Sequence, residues 1–140
     1  MKKLIAFVLV SLCVFGLTGC ANGEEKVWEW AQSLTCEDIS SAIPQSEFQE
    51  FEALDDTQMR ELVALLNGLE KDDFTHNKHL RGGTPTHHLE LNIGSETYYL
   101  NESIAPDGAL EMEYDGKQWW IDNDALSDFV KRITGGETAE

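Results

Sequence analysis

Cations are scarce in this 140-residue chain: ten Lys and Arg stand against 26 Asp and Glu, a formal net charge of −16. That balance excludes polyanionic partners, nucleic acid above all, and sets the surface against anionic headgroups. Cysteine is scarcer still, with three in the chain. Cys13 lies inside an apolar amino-terminal run and Cys20 closes it, so Cys36 is left alone in the body of the protein. A lone cysteine excludes an internal disulfide framework. No motif surrounds Cys36, which is expected to be a small buried filler. The chain also lacks a phosphate loop, a G-x-S-x-G elbow and any repeat, and no cofactor is expected.

What is present begins with "MKKLIAFVLVSLCVFGLTGC". Lys2 and Lys3 precede an apolar run of 14 residues. A secretory signal core spans roughly 7–15 residues, whereas a membrane-crossing helix needs about 20. The run closes on Leu17-Thr18-Gly19-Cys20 rather than on an A-x-A-like site. This box resembles the lipobox of bacterial lipoproteins. The resemblance implies that residues 1–19 are a signal peptide removed by the type II signal peptidase. It also implies that the Cys20 thiol carries diacylglycerol, with acylation of the new amino terminus. Two or three acyl chains anchor stably where one binds marginally. The expected location is therefore the extracytoplasmic side of a bacterial membrane. Removing the signal discards two lysines and no acid, which leaves net −18. Residues 20–26 would be the lipidated cysteine and a short polar linker, 27–134 a single domain, and 135–140 a tail.

The stretch "VWEWAQSLTCEDISSAIP" reads as short helix or strand; the expectation is a strand near Ile39–Ile43, ended by Pro44. "LDDTQMRELVALLNGL" predicts a helix. Asp55 and Gln58 can form a capping box, Leu54 and Met59 a staple, and Asn67-Gly68 the stop. Met59, Leu62, Val63 and Leu66 follow helical spacing, and Leu65 widens that stripe.

Two hairpins follow. Gly94-Ser95 fits a type II′ turn and pairs Leu91 with Tyr98 and Leu89 with Leu100; Asp115-Gly116 signals a type I′ turn and pairs Met112 with Trp119. Alternation sends Leu89, Leu91, Ile93, Tyr98, Leu100, Met112, Tyr114 and Trp119 to one face. His88, Glu90, Tyr99, Glu111 and Trp120 take the other. A Pro-Asp-Gly turn joins the hairpins. "DNDALSDFVKRITGG" predicts a carboxy-terminal helix, its acids early and its Lys131 and Arg132 late. The expected fold is α+β: an antiparallel sheet of four to five strands, two hairpins in a meander, with two helices packed on one face. This order, with "LVALLNGL", resembles small domains of Gram-positive lipoproteins, a resemblance that implies no activity.

All four histidines fall in "HNKHLRGGTPTHH". His76-x-x-His79 has zinc-like spacing, but His87 and His88 start a strand and point to opposite faces, so a solvated loop is expected and no metal site. Asp122-Asn123-Asp124 lacks the glycine and distal glutamate of a calcium loop and reads as a helix cap. "KQWW" sends Trp119 inward and Trp120 outward. The outward ring is either covered by "VWEW" from the amino end, the favoured arrangement, or offered to a partner.

The expected function is that of a non-enzymatic, membrane-anchored lipoprotein. It would attach to the membrane through Cys20 and bind a protein, peptide or small ligand through Tyr99, Trp120, Glu90 and Glu111. Two alternatives stand: an envelope hydrolase using Cys36 or the histidine loop, and a metal-handling or pH-sensing module using His76, His79 and His88.

Overall fold

The structure is a computed structural model that describes residues 23–78, 87–102 and 108–135. The signal segment, Cys20, His79 and the Pro-Asp part of the predicted turn lie outside the described residues. In chain order the elements are α1 (Gly23–Ser33), β1 (Ile39–Ser46), α2 (Asp56–Asn67), a 3-10 turn (Lys71–Asp73), β2 (Phe74–Asn77), β3 (His87–Ile93), β4 (Glu96–Glu102), β5 (Leu110–Tyr114), β6 (Lys117–Ile121) and α3 (Asp124–Thr134).

The strands form one six-stranded antiparallel sheet in the order β1-β3-β4-β5-β6-β2. The class is α+β as expected, with six strands and three helices among the described residues rather than four to five and two. The meander of two hairpins forms the centre. Gly94 has φ 61°, while Asp115 and Gly116 have φ 51° and 69°, as the II′ and I′ turns require. Those turns set the register: Leu91 faces Tyr98, Leu89 faces Leu100, and Met112 faces Trp119.

Two strands flank the meander. β2 at one edge is only four residues long, too short for a readable alternation, and it takes His76 and Asn77 out of the expected loop. At the other edge β1 runs through Pro44 to Ser46 instead of stopping at the proline. An edge strand tolerates proline because one side of its backbone has no ladder to complete.

The amino-terminal ambiguity resolves as helix followed by strand. α1 starts at Gly23, inside the stretch expected to be linker, with Glu24 and Glu25 at the positive end of its dipole. It buries Val27 and Ala31. Cys36 lies exposed in the following turn, not buried as expected. The turn is closed by Asp38, whose carboxylate accepts from the Thr35 N–H and hydroxyl at 2.8 and 2.7 Å, so Cys36 is held outside the core.

α2 begins on the predicted box: Asp55 accepts from Thr57 and Gln58 N–H, and Gln58 Oε1 accepts from Asp55 N–H at 3.1 Å. Asn123 caps α3, and Gly135 ends it in the left-handed conformation at φ 71°. All three helices contribute to a single core with the inward positions of the sheet, including Val27, Leu66, Leu91, Met112 and Phe129. They therefore cover one face.

Asn67 ties two of these helices together. Its side-chain amide donates to the carbonyls of Ala31, Gln32 and Leu34 at 2.8–3.3 Å, satisfying the last turn of α1. Asn67→Ala leaves those acceptors without that donor and should cost about 1–3 kcal/mol. Urea melts of the full chain measure this, and a loss under about 0.5 kcal/mol, the range of ordinary surface changes, would contradict the clamp.

Candidate functional site

The face opposite the helices carries the sequence-nominated residues in two groups. On β3 and β4, Glu90 pairs with Tyr99, and the His88 ring meets Tyr99 edge-on at 5.5 Å. Tyr99 is 44 % exposed. Burial holds the His88 pKa below the usual histidine value, against the opposing pull of the Glu90 charge. On β5 and β6, Trp120 Nε1 donates to Glu111 Oε1 at 2.7 Å, and Asn77 of β2 donates to the same oxygen at 3.2 Å. Glu111 is only 6 % exposed. It thus lies beneath the surface and clamps the indole.

Trp28 and Trp30 do not cover this face. Both ride on α1 on the helix side, where Trp28 Nε1 donates to Leu69 O at 3.0 Å and Trp30 packs against Tyr98 and Tyr114. The expected intramolecular cover of Trp120 by "VWEW" is therefore overturned, because helix formation commits those indoles to the core side.

The histidines are separated. The His76 ring lies 5.3 Å from Trp119, an inward residue, whereas His88 sits on the opposite face beside Tyr99. His87 Nδ1 lies 3.8 Å from Glu102. A sheet thus stands between His76 and His88, and no group of three metal-ligating side chains occurs among the described residues.

Sequence reading missed a cleft. β3 and β4 pair over six positions and β5 and β6 over five, yet β4 and β5 pair only at Asn101–Glu111 and Glu102–Leu110. Beyond that closed end the two hairpins part around an open cleft of about 900 Å³. Its walls carry Glu96, Tyr98 and Tyr99 from β4 and Glu113, Tyr114 and Asp115 from the other hairpin, with Lys26 of α1 at one side.

Aromatic bulk explains the parting. Were the ladder to continue, Tyr98 would lie directly opposite Tyr114. Instead their rings stack at 6.3 Å, and Trp30 packs against both, 4.9 Å from Tyr98 and 5.3 Å from Tyr114. Three large rings under one pair of positions set the strand spacing, and carboxylates on both walls add repulsion.

The polar edge of this cluster is electrostatically distinctive. Tyr98 Oη donates to Glu96, and its pKa is pushed up to about 12 by burial, then by that hydrogen bond and the Glu96 charge. Tyr114 is raised as well, by burial first and then by Asp115, Glu96 and Glu29. The cleft therefore presents neutral phenols beside carboxylates. Its contents suit recognition of hydrogen-bonding or cationic groups.

The amino terminus of α1 lies at the same end. Gly23 packs so near Trp119 that a Cβ there would come within 3.1 Å of its ring and 3.3 Å of Lys117 Nζ.

No protein-family profile and no curated protein matches the chain. Among solved structures, it is similar to a crystal structure of a candidate lipoprotein from Clostridium perfringens. The TM-score is 0.60, and the match covers 83 % of this chain and 99 % of that one. At 14 % identity, this likeness shows a shared fold.

The Tyr98 assignment can be checked by alkaline titration. A folded pKa near 12 against an ordinary value of 10.0 means that the unfolded chain loses its proton first. The stability from Tyr98 is then fully present below about pH 10 and lost as the pH rises towards about 12. Ultraviolet titration of the full chain should show a late phenol that Tyr98→Phe removes. The Phe variant should also lose stability less steeply over that window. An unchanged alkaline spectrum in the variant would rule out the assignment.

Proposed function

We propose that this chain is a lipid-anchored extracytoplasmic lipoprotein whose α+β domain is a non-enzymatic binding module. The observation that carries the binding reading is the sheet face on which, among the described residues, no helix packs. It bears exposed Tyr99, the Glu111-clamped Trp120 and the mouth of the cleft. The phenol and the indole positioned there are of the kind that anchor partners. Support for the anchor comes from the Leu17–Cys20 box and the preceding apolar run. The lipoprotein description of the Clostridium perfringens protein, which has a similar fold, agrees with it.

The anchor also orients the domain. Two residues, Ala21 and Asn22, separate Cys20 from Gly23, and three peptide steps span at most about 10 Å when extended. Lipid on Cys20 would hold the α1 start, with adjoining Trp119 and Lys117, near the bilayer. The sheet would then rise from the membrane with the β5–β6 turn lowest and the cleft opening near that end.

Cys20→Ser should release the domain from membranes or leave an unprocessed precursor, because lipid transfer requires the thiol. Cells expressing either form are fractionated, and the mature species is weighed by mass spectrometry for the added acyl mass. Equal membrane retention of a normally processed Ser variant would overturn the anchor.

A further inference from the structure

The parity of the two hairpins determines where the unpaired backbone of the cleft points. In a two-residue hairpin the residues flanking the turn exchange hydrogen bonds, and the bonded pairs then alternate along the ladder. Glu96, Tyr98 and Leu100 therefore direct their N–H and C=O groups to β3, while Thr97, Tyr99 and Asn101 direct theirs towards β5. On the other hairpin Met112 and Tyr114 bond to β6, while Glu111 and Glu113 face β4. Asn101 and Glu111 find each other at the closed end. The main-chain donors and acceptors of Thr97 and Tyr99 on one wall, and of Glu113 on the other, look into the cleft where the ladder has stopped.

We infer that this cleft receives an extended, cationic peptide segment of a partner protein, which adds to β4 as a strand. The inference rests on the binding-module reading and names its ligand class. Strand addition supplies affinity through main-chain hydrogen bonds and specificity through alternate side chains. The outer edges of the sheet are poor templates for this: β1 carries Pro44 and β2 is four residues long. The internal gap is the better one. Charge selects the sign of the partner, since Glu96, Glu113 and Asp115 line the walls against Lys26. The chain as a whole carries −16. Exposed Tyr99 adds a ring face on which a lysine or arginine of the segment can rest.

The test uses purified full-length protein in detergent and three labelled nine-residue probes. One alternates lysine with valine, one has the same lysines with prolines replacing the valines, and one alternates glutamate with valine. The Lys-Val probe should bind saturably, at least about tenfold tighter than the proline probe, because proline lacks the N–H that a ladder needs. Glu113→Gln and Asp115→Asn should each weaken it about three- to tenfold and flatten its salt dependence. Amide shifts on binding should centre on Thr97, Tyr99 and Glu113. Equal affinity for the Lys-Val and proline probes would overturn strand addition, as would the absence of saturable binding or preference for the Glu-Val probe. Shifts centred on Glu90 and Trp120 would overturn the cleft assignment while leaving the broader binding-face reading standing. The Cys20→Ser fractionation is unaffected by any of these results.

Discussion

Two tight turns govern this molecule. Gly94-Ser95 and Asp115-Gly116 each favour one register, because the positive φ angles of Gly94, Asp115 and Gly116 suit the strand twist there. A slip by one residue would exchange the faces of every strand in the meander. From that single parity follow the inward set that meets the helices, the outward set with Tyr99 and Trp120, and the direction of each backbone N–H along β4 and β5. The core and the candidate site are two readings of the same alternation.

The second determinant is aromatic. A continuous sheet would close β4 on β5, yet the register brings Tyr98 towards Tyr114 at the place where α1 delivers Trp30. Ring packing there satisfies the helix side of the core while it parts the strands on the other side. Carboxylates along the walls make that gap acidic. Burial and the Glu96 charge keep Tyr98 protonated, so its neutral phenol stands among the carboxylates of the opening. A lipid on Cys20, three residues before Gly23, would present this opening close to the membrane.

The legible parts of the sequence were those fixed by local chemistry. Both hairpin registers follow from two dipeptides, α2 from its Asp55–Gln58 box, and α3 from Asn123, its Leu126-Phe129-Val130-Ile133 stripe and Gly135. What escaped depended on distant contacts. β2 offers four residues and gains its identity only by pairing with β6. Pro44 suggested a stop because nothing local says that β1 is an edge strand. The helical state of "VWEW" is settled by burial of Val27 and Ala31 against elements dozens of residues away. Tyr99, Trp120, Glu90 and Glu111 could be placed on one face, but the burial of Glu111 beneath Trp120 and Asn77 could not be foreseen from alternation alone. The cleft was missed because two correct hairpin registers do not state how far the hairpins remain together.

Hydrogen exchange along β4 tests the parted sheet most directly. The amides of Tyr98 and Leu100, bonded to β3, should be strongly protected, as should that of Asn101 at the closed end. Thr97 and Tyr99, which alternate with them on the same strand, should exchange near the rate of open chain, and so should Glu113 across the gap. That every-other-residue contrast is the signature of a strand paired on one side only. Uniform protection from Glu96 to Asn101 would mean that β4 and β5 are zipped along their length, and the cleft, with the strand-addition site built on it, would not exist.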